Sequence, residues 1–374
     1  MELKALLKLG QSPWMDSIER GQTRSGGLSQ FIAEGIRGVT SNPSIFEKAI
    51  QKNSYEADIQ RLARRGKSPF EIYDELSVTD VQEAADLFAP IWQESQGLDG
   101  YISLEPPAQY AYNVGKTTAE VKRLFALVNR ENVMIKLPAT EEGLKALPGL
   151  IASGININIT LIFSPLIYAQ VARGYIQGLK EMERQGGKLN RVASVASVFV
   201  SRIDTVVDKR LEALMAQETN QVKRDFLAQL RGKAAVANSK LIYRKYLEIF
   251  ASSEFQALAK KGARIQRLLW GSTSTKNPVY SDVKYVEELI GKDTINTIPL
   301  ETISAFQDHG RPKETISQGW QEAQKVIADV EALGISMEEI HSQLLQEGVA
   351  AFARSLDSLL ATLGNKVKAG LAAR

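Results

Sequence analysis

Short apolar segments alternate along the chain with longer segments whose apolar residues recur every three or four positions. The short segments have the length of β-strands, and the longer ones have the spacing of amphipathic helices. This alternation predicts a parallel α/β fold, and eight strands is the number that closes a (β/α)8 TIM barrel. The predicted strands lie at 13–16, 38–42, 101–105, 133–137, 155–160, 192–200, 267–271 and 296–299.

Helical patterns connect the predicted strands. Long helical regions are predicted at 56–96 and 201–259, and a shorter helix is predicted at 282–290. Ser44 is the predicted N-cap of a helix beginning at Ile45, because a serine directly before an apolar helical pattern is typical of a helix start.

Residues 1–374 are predicted to form a single domain, since no internal repeat, low-complexity tract or linker interrupts the pattern. Helices are added to the barrel at both ends of the chain. The C-terminal extension, about residues 313–374, is predicted to contain two or three helices, which a typical barrel of ~250 residues does not need. Its apolar stripe is compatible with a cover over the barrel, a lid over a site or a subunit contact. An intramolecular packed helix is the commonest arrangement.

One lysine lies inside the fourth predicted strand. Lys136 is on the same face as Met134, opposite Ile135 and Leu137. Burial disfavours the charged form of an amine, and a neutral amine can form a Schiff base with a ketone or aldehyde. The alternative is a lysine at a strand edge whose ammonium group reaches solvent.

Polar residues lie near the carboxyl end of most predicted strands, which is where (β/α)8 barrels carry their chemistry. The strand at 155–160 alternates perfectly between isoleucine and polar residues, so its polar face is predicted to line the barrel interior. Any one of these polar residues could instead be a satisfied buried group or a helix cap. The collected candidates are Asp16, Thr40, Asn42, Ser103, Glu105, Lys136, Asn158, Thr160, Ser197 and Lys276.

The composition argues against several classes of function. The 46 basic and 43 acidic residues give a net charge of +3 without any basic block, so no nucleic-acid partner is predicted. The chain has no cysteine, which excludes disulfides and thiolate chemistry and predicts a cytoplasmic location. The two histidines, His309 and His341, are too few for an imidazole metal cluster, so no metal site is predicted from the composition. No signal peptide or membrane-spanning segment is predicted.

Four motifs stand out in the chain: GVTSNPSIF at 38–46, VMIKLP at 133–138, NINITLIFS at 156–164 and ASVASVFVSRID at 193–204. They resemble the motifs of transaldolases, in the longer-chain branch of that family, and the similarity runs from about Pro13 to Pro299 and into the tail. The resemblance implies a class I aldolase-type barrel that acts without metal or cofactor. Such enzymes move a dihydroxyacetone unit from a ketose phosphate to an aldose phosphate in the non-oxidative pentose phosphate pathway.

The resemblance also implies roles for individual residues. Lys136 would attack the C2 carbonyl of fructose 6-phosphate or sedoheptulose 7-phosphate, and Asp16 would take the proton from the C4 hydroxyl. Glu105 and Thr160 would hold the water that leaves and re-enters. The implied substrate-binding residues are Thr40, Asn42, Asn158, Ser197, Phe199, Arg202 and Lys276.

Two positions depart from the family pattern. Lys276 lies where a second phosphate-binding arginine is usual, and its alternative role is a helix cap. Asp16 lies in Trp-Met-Asp-Ser and lacks the Asp-Thr pair of the shorter enzymes, so it too could be a cap.

Two other functions are compatible with the sequence. One is a fructose 6-phosphate aldolase, which releases free dihydroxyacetone. In that group a glutamine resembles the position of Glu105 and a tyrosine that of Phe199, so the residues of this chain favour transfer. The other is a catalytically silent barrel that serves as a scaffold. Sugar phosphates are the predicted partners, and the chain is predicted to be a monomer or a homodimer.

Overall fold

Eight parallel strands form a closed barrel in the computed structural model, which describes residues 2–372. Each strand pairs with its neighbour in sequence, and the eighth pairs with the first. The predicted (β/α)8 barrel is therefore confirmed. The strands are β1 (Gln11–Met15), β2 (Gly38–Thr40), β3 (Tyr101–Leu104), β4 (Val133–Pro138), β5 (Ile157–Ile162), β6 (Ser194–Phe199), β7 (Arg267–Gly271) and β8 (Thr294–Ile298).

Seventeen α-helices lie within residues 2–372, and none of them is both long and apolar enough to cross a membrane. They are α1 (Glu2–Lys8), α2 (Arg20–Arg24), α3 (Gly27–Glu34), α4 (Pro43–Ile50), α5 (Glu56–Arg64), α6 (Pro69–Glu94), α7 (Val114–Val128), α8 (Glu141–Ala152), α9 (Pro165–Arg184), α10 (Ser201–Gln217), α11 (Gln221–Leu230), α12 (Ala234–Phe250), α13 (Ser253–Ala259), α14 (Lys284–Glu287), α15 (Leu300–His309), α16 (Trp320–Ala332) and α17 (Met337–Ala372).

Several predicted helices have different limits in the structure. The region 56–96 is divided into α5 and α6, because Ser68 and Glu71 form a capping box that starts a new helix at Pro69. The region 201–259 contains four helices, α10 to α13. The predicted helix 282–290 is reduced to α14, and the carbonyl of Ile290 instead accepts the backbone N–H groups of Thr315 and Ile316.

The predicted N-cap of α4 is wrong by two positions. Asn42, not Ser44, caps this helix: its Oδ1 accepts the N–H of Ile45 at 3.0 Å, and Pro43 occupies the first helical position. The Ser44 hydroxyl lies 2.7 Å from that of Ser355 in α17.

Alternate residues of each strand face the inside and the outside of the barrel, as the two-residue period requires. Met134 belongs to the apolar cluster inside the barrel, and Ile135 and Leu137 pack in the larger core between the strands and the helices. The predicted inward orientation of Lys136 follows. The inner cluster contains Trp14, Tyr101, Met134, Ala193, Val195, Leu269 and Ile295.

A buried polar network closes the barrel below this inner cluster, at the amino ends of the strands. Arg267 donates to Asp99 at 3.1 Å, to the Ser12 hydroxyl at 2.7 Å and to the Thr294 carbonyl at 2.8 Å. Asp99 also accepts hydrogen bonds from Ser12 and from the indole of Trp14. This end of the barrel is thus occupied by protein side chains, which leaves the opposite end for substrates.

The C-terminal part of the chain forms α16 and α17, within the predicted range of two or three helices. α16 packs on α12, and α17 contacts α4, α5, α6 and α10. α17 therefore crosses the carboxyl end of the barrel, because α4, α6 and α10 each border the end at which the polar residues collect.

We expect Asp99→Ala to lower the free energy of unfolding by about 3–5 kcal/mol, since it leaves the buried Arg267 guanidinium without its carboxylate. Denaturant titration measures this change. As a control, Lys145→Ala removes an exposed ion pair with Glu141 and should change stability by less than about 0.5 kcal/mol. Equal small effects would show that the network does not stabilise the barrel.

Candidate active site

A cleft of about 570 Å³ opens at the carboxyl ends of the strands. Most of the residues predicted from the sequence line it. The exceptions are Asn158 and Ser103, which are fully buried beneath it, and Glu105, which contacts Lys136 from an adjoining hollow. The predicted residues that line the cleft are Asp16, Thr40, Asn42, Lys136, Thr160, Ser197, Phe199, Arg202 and Lys276.

Lys136 and Glu105 form an ion pair inside the barrel. The Lys136 Nζ lies 3.3 Å from Glu105 Oε2, and the two residues are only 5% and 6% exposed. Strand register brings them together. Ser103 pairs with Met134, and Glu105 and Lys136 each lie two positions further along the chain from this pair. Burial raises the pKa of Glu105, while Lys136 acts in the opposite direction. The pair places an amine and a carboxylate side by side in a poorly solvated site.

Asp16 directly follows β1 and is held by Thr40. The Thr40 hydroxyl donates to Asp16 Oδ1 at 2.7 Å and lies 2.6 Å from the hydroxyl of Thr297. The surrounding protein desolvates the carboxyl and raises its pKa, and the charge of Lys136 opposes that shift. Asp16 is not a helix cap, so that alternative is wrong. Its carboxylate is oriented towards the same cleft as Lys136.

Three side chains form a buried hydrogen-bonded row beneath the lysine. The Asn158 amide donates to the Ser103 hydroxyl at 3.0 Å, and Ser197 donates to Asn158 Oδ1 at 2.6 Å. The Thr160 hydroxyl is also buried, but it makes no hydrogen bond to another residue between 2 and 372. Thr160 is therefore a polar group at the cleft surface whose hydrogen-bonding capacity is available to a ligand.

Two cationic side chains lie at the mouth of the cleft. Arg202, in the first turn of α10, has its guanidinium 5.3 Å from the centre of the Phe199 ring. Burial lowers the pKa of Arg202, an effect opposed by the charge of Glu347. Lys276 lies in the loop after β7 and donates to the Ser274 hydroxyl at 2.6 Å, so it is not a helix cap. This mouth is suited to a phosphate dianion.

α17 contributes a residue that sequence reasoning missed. Phe352 lines the cleft, and together with Val349 it covers the hollow that contains Glu105. Gly348 permits this close approach, because a Cβ there would lie 2.7 Å from the Leu161 side chain. Leu161 itself adopts a left-handed conformation (φ 61°), in the irregular register between Ile159 and Ile162.

Lys48 and Lys52 of the α4 region also line the cleft and were not predicted. Their only sequence signal was their position shortly after Asn42. Within residues 2–372, no three His, Asp or Glu side chains are grouped as metal ligands would be.

Comparison with known proteins identifies the family. Residues 13–363 match the model of the family described as transaldolase/fructose-6-phosphate aldolase. The chain belongs to this family. It is 43% identical over 364 residues to a protein named transaldolase from Trichodesmium erythraeum, with 96% of each chain covered. It is 42% identical to transaldolase 2 of Nostoc sp., over 98% of this chain and 99% of that one, and 43% identical to the transaldolase of Thiobacillus denitrificans.

Such similarity over the whole length supports an enzyme of the transaldolase type. The expected family and the expected enzyme class are thereby confirmed. The site residues named above keep the status of predictions with regard to their roles.

Asp16→Asn is expected to raise the unfolding midpoint temperature at pH 8. Because the folded-state pKa of Asp16 is raised, folding favours the neutral carboxyl, and this contribution is lost as pH rises through the folded pKa. The amide is neutral at every pH and can still accept from Thr40. The difference should therefore vanish as pH falls towards the ordinary value of 3.8.

Thermal unfolding followed by circular dichroism at several pH values measures this effect. Asp225→Asn, on the exposed surface of α11, is the control and should leave the midpoint unchanged. A lower midpoint for Asp16→Asn at pH 8 would contradict the assigned cost of the Asp16 charge.

Proposed function

We propose that the chain transfers a dihydroxyacetone unit from sedoheptulose 7-phosphate or fructose 6-phosphate to glyceraldehyde 3-phosphate or erythrose 4-phosphate. The observation that carries this proposal is the enclosed Lys136, which interacts with the carboxylates of Glu105 and Asp16 in a site with two cations at its mouth. The family name covers both transfer and simple aldol cleavage. Glu105 and Phe199 favour transfer, as the sequence resemblance implies. The reaction belongs to the non-oxidative pentose phosphate pathway.

In the first stage, Lys136 attacks C2 of the ketose and forms a C–N bond. The resulting carbinolamine loses its C2 hydroxyl as water, which gives a protonated Schiff base. Lys136 lines the cleft and is only 5% exposed, so the attack takes place away from bulk water. Glu105, at 3.3 Å, is placed to accept the proton that the Lys136 ammonium group gives up before the attack and to donate it later to the leaving hydroxyl, so that the nitrogen of the Schiff base keeps one proton.

In the second stage, Asp16 accepts the proton of the C4 hydroxyl. The C3–C4 bond breaks, its electrons move into the iminium to give an enamine, and the aldose phosphate leaves. The raised pKa of Asp16 makes it a stronger base than an exposed aspartate. The enamine then attacks the aldehyde carbon of the acceptor, and Asp16 returns the proton to the new hydroxyl. Water finally hydrolyses the Schiff base and frees Lys136.

The water in these steps needs a defined position. The Thr160 hydroxyl is buried without a protein partner among the described residues, and Thr160 lies on the strand next to that of Lys136. We assign Thr160 and Glu105 to this water. Substrate binding is assigned to four further residues, which are Thr40, Asn42, Asn158 and Ser197. They contact the substrate hydroxyls directly or belong to the buried hydrogen-bonded row beneath the cleft. Arg202 and Lys276 bind the phosphate, with the Phe199 ring beside Arg202.

The remaining predictions concern the molecule as a whole. We propose that residues 1–374 form one domain, because α17 contributes Phe352 to the cleft formed by the barrel. The cytoplasmic location and the choice between monomer and homodimer stay predictions of the sequence.

Incubation with fructose 6-phosphate followed by borohydride reduction should attach one dihydroxyacetone-sized adduct to the peptide that contains Lys136. Intact-mass and peptide mass spectrometry measure it. Lys136→Ala should abolish the adduct because it removes the nucleophile. Lys122→Ala, an exposed lysine of α7, should leave adduct formation unchanged.

An adduct on another lysine would overturn the assigned nucleophile. The same incubation without reductant tests transfer against aldol cleavage. Free dihydroxyacetone should accumulate slowly without an acceptor, and rapid release would favour the lyase.

Arg202→Ala should raise the KM for fructose 6-phosphate by ~10–100-fold, because hydrogen bonds to a charged group contribute about 1.5–3 kcal/mol. Lys276→Ala should have a smaller effect, since an exposed point charge replaces a guanidinium fork. Steady-state kinetics measure both. Arg224→Ala, on the exposed face of α11, is the matched control. A lower kcat at unchanged KM would place Arg202 outside the phosphate site.

A further inference from the structure

The loop between β7 and α14, residues 272–283, carries Lys276 and lies against α10, which carries Arg202. We call it the β7 loop. The two cations assigned to the phosphate therefore belong to elements separated by about seventy residues of sequence. Their relative position depends on how the β7 loop is attached to α10. Three sets of hydrogen bonds make that attachment, two from the loop itself and one from Tyr285 in α14, which follows the loop directly.

The first set lies where the loop begins. The N–H of Ser201 donates to the Ser272 carbonyl at 3.1 Å, and the two serine hydroxyls lie 3.0 Å apart. Ser272 has a left-handed backbone conformation (φ 53°), which is unfavourable for a serine and persists where surrounding contacts fix it. The start of α10 thus holds the first residue of the loop in a strained conformation.

The second set uses Tyr280, four residues after Lys276. Its hydroxyl donates to Asp208 Oδ2 at 2.7 Å, and Asp208 Oδ1 accepts the N–H of Gly232 at 2.8 Å. Gly232 has a positive φ of 69°, and a Cβ on it would lie 2.7 Å from the Tyr280 ring. A glycine is therefore required for the ring to reach Asp208.

The third set repeats this arrangement one helical turn earlier on α10. Tyr285 donates to Asp204 Oδ2 at 2.7 Å, and Asp204 Oδ1 accepts the N–H of Ala235 at 2.7 Å. Burial raises the pKa of Asp204 to about 6, so its ionised form at neutral pH costs folding free energy. A neutral side chain would avoid this cost, which suggests that the carboxylate has a role beyond stability.

We propose that Tyr280 and Tyr285, acting through Asp208 and Asp204, are positioning residues that hold Lys276 at a fixed place relative to Arg202. This inference rests on the proposed function, in which these cations bind the substrate phosphate. Arg202 and Asp204 are two positions apart on α10, so they project from different sides of the helix, one towards the cleft and the other towards the β7 loop.

The need for such support follows from the chemistry of lysine. Lys276 is exposed, and Ser274, in the same loop, is the hydrogen-bond partner of its ammonium group. A lysine presents a point charge on a flexible chain and lacks the rigid fork of arginine. Its contribution to a phosphate site therefore depends on where the backbone of the loop lies, and the two tyrosines restrict that position.

The test uses the double variant Tyr280→Phe/Tyr285→Phe, which removes two hydroxyls and keeps both rings. The second-order rate constant of adduct formation, trapped with borohydride, is measured for fructose 6-phosphate and for fructose. We expect the constant for fructose 6-phosphate to fall about tenfold, as for the loss of one to two hydrogen bonds, and that for fructose to stay within about twofold. Competitive inhibition by inorganic phosphate should weaken in parallel.

Tyr175→Phe is the matched control. Its buried hydroxyl donates to the Arg264 carbonyl at 2.8 Å, close to the opposite end of β7, so its loss affects stability without reaching the phosphate. It should leave both rate constants unchanged. All variants are assayed well below their unfolding midpoints, as measured by circular dichroism.

Three outcomes would overturn the inference. Equal losses for fructose and fructose 6-phosphate would indicate a structural role alone. Unchanged discrimination in the double variant, with discrimination lost in Arg202→Ala, would reject the positioning role and retain the phosphate site. Unchanged discrimination in Arg202→Ala would reject the proposed phosphate site, and the positioning role with it.

Discussion

The buried ion pair between Lys136 and Glu105 is the main electrostatic constraint on the barrel interior. Moving a single charge from water into the barrel interior costs free energy. An opposite charge nearby offsets this desolvation penalty, so each of the two groups needs the other. The register of β3 and β4 provides that partner. The apolar outer faces of the same strands, which include Ile135 and Leu137, supply the burial that stabilises the barrel. The fold tolerates the desolvation penalty of this ion pair because the pair lies at the carboxyl end of the barrel only.

The interior of the barrel is divided along its axis for the same reason. Arg267 and Asp99 close the amino end, an apolar layer around Met134 fills the middle, and the polar row with Asn158 lies beneath the cleft. The apolar layer separates the charged groups at the two ends of the barrel. The polar residues at the amino end of the barrel stabilise the fold. Those at the carboxyl end are buried at a cost in folding free energy and are assigned to the reaction.

Local patterns made much of this predictable from the sequence. Alternation over six residues placed Lys136, Asn158 and Thr160 inside the barrel, because side-chain parity is a property of one strand. The cap of α4 also had a local signal, since Pro43 at the first helical position identifies Asn42. Contacts between segments that are distant in sequence had no such local signal. Phe352 is an ordinary apolar residue of an amphipathic helix, and the sequence does not specify that α17 crosses the barrel.

The proposed reaction places one further demand on the site. After the donor aldose phosphate leaves, the enamine stays on Lys136 until an acceptor aldose phosphate arrives, and both aldoses must present their carbonyl carbon to the same atom. A single phosphate site used twice meets this demand, because it fixes the distance from phosphate to enamine for both. Arg202 and Lys276 can define that distance only if α10 and the β7 loop move as one unit. The hydrogen bonds from Tyr280 and Tyr285 to α10 hold these two elements together, and in this way the fold contributes to the selection of phosphorylated substrates.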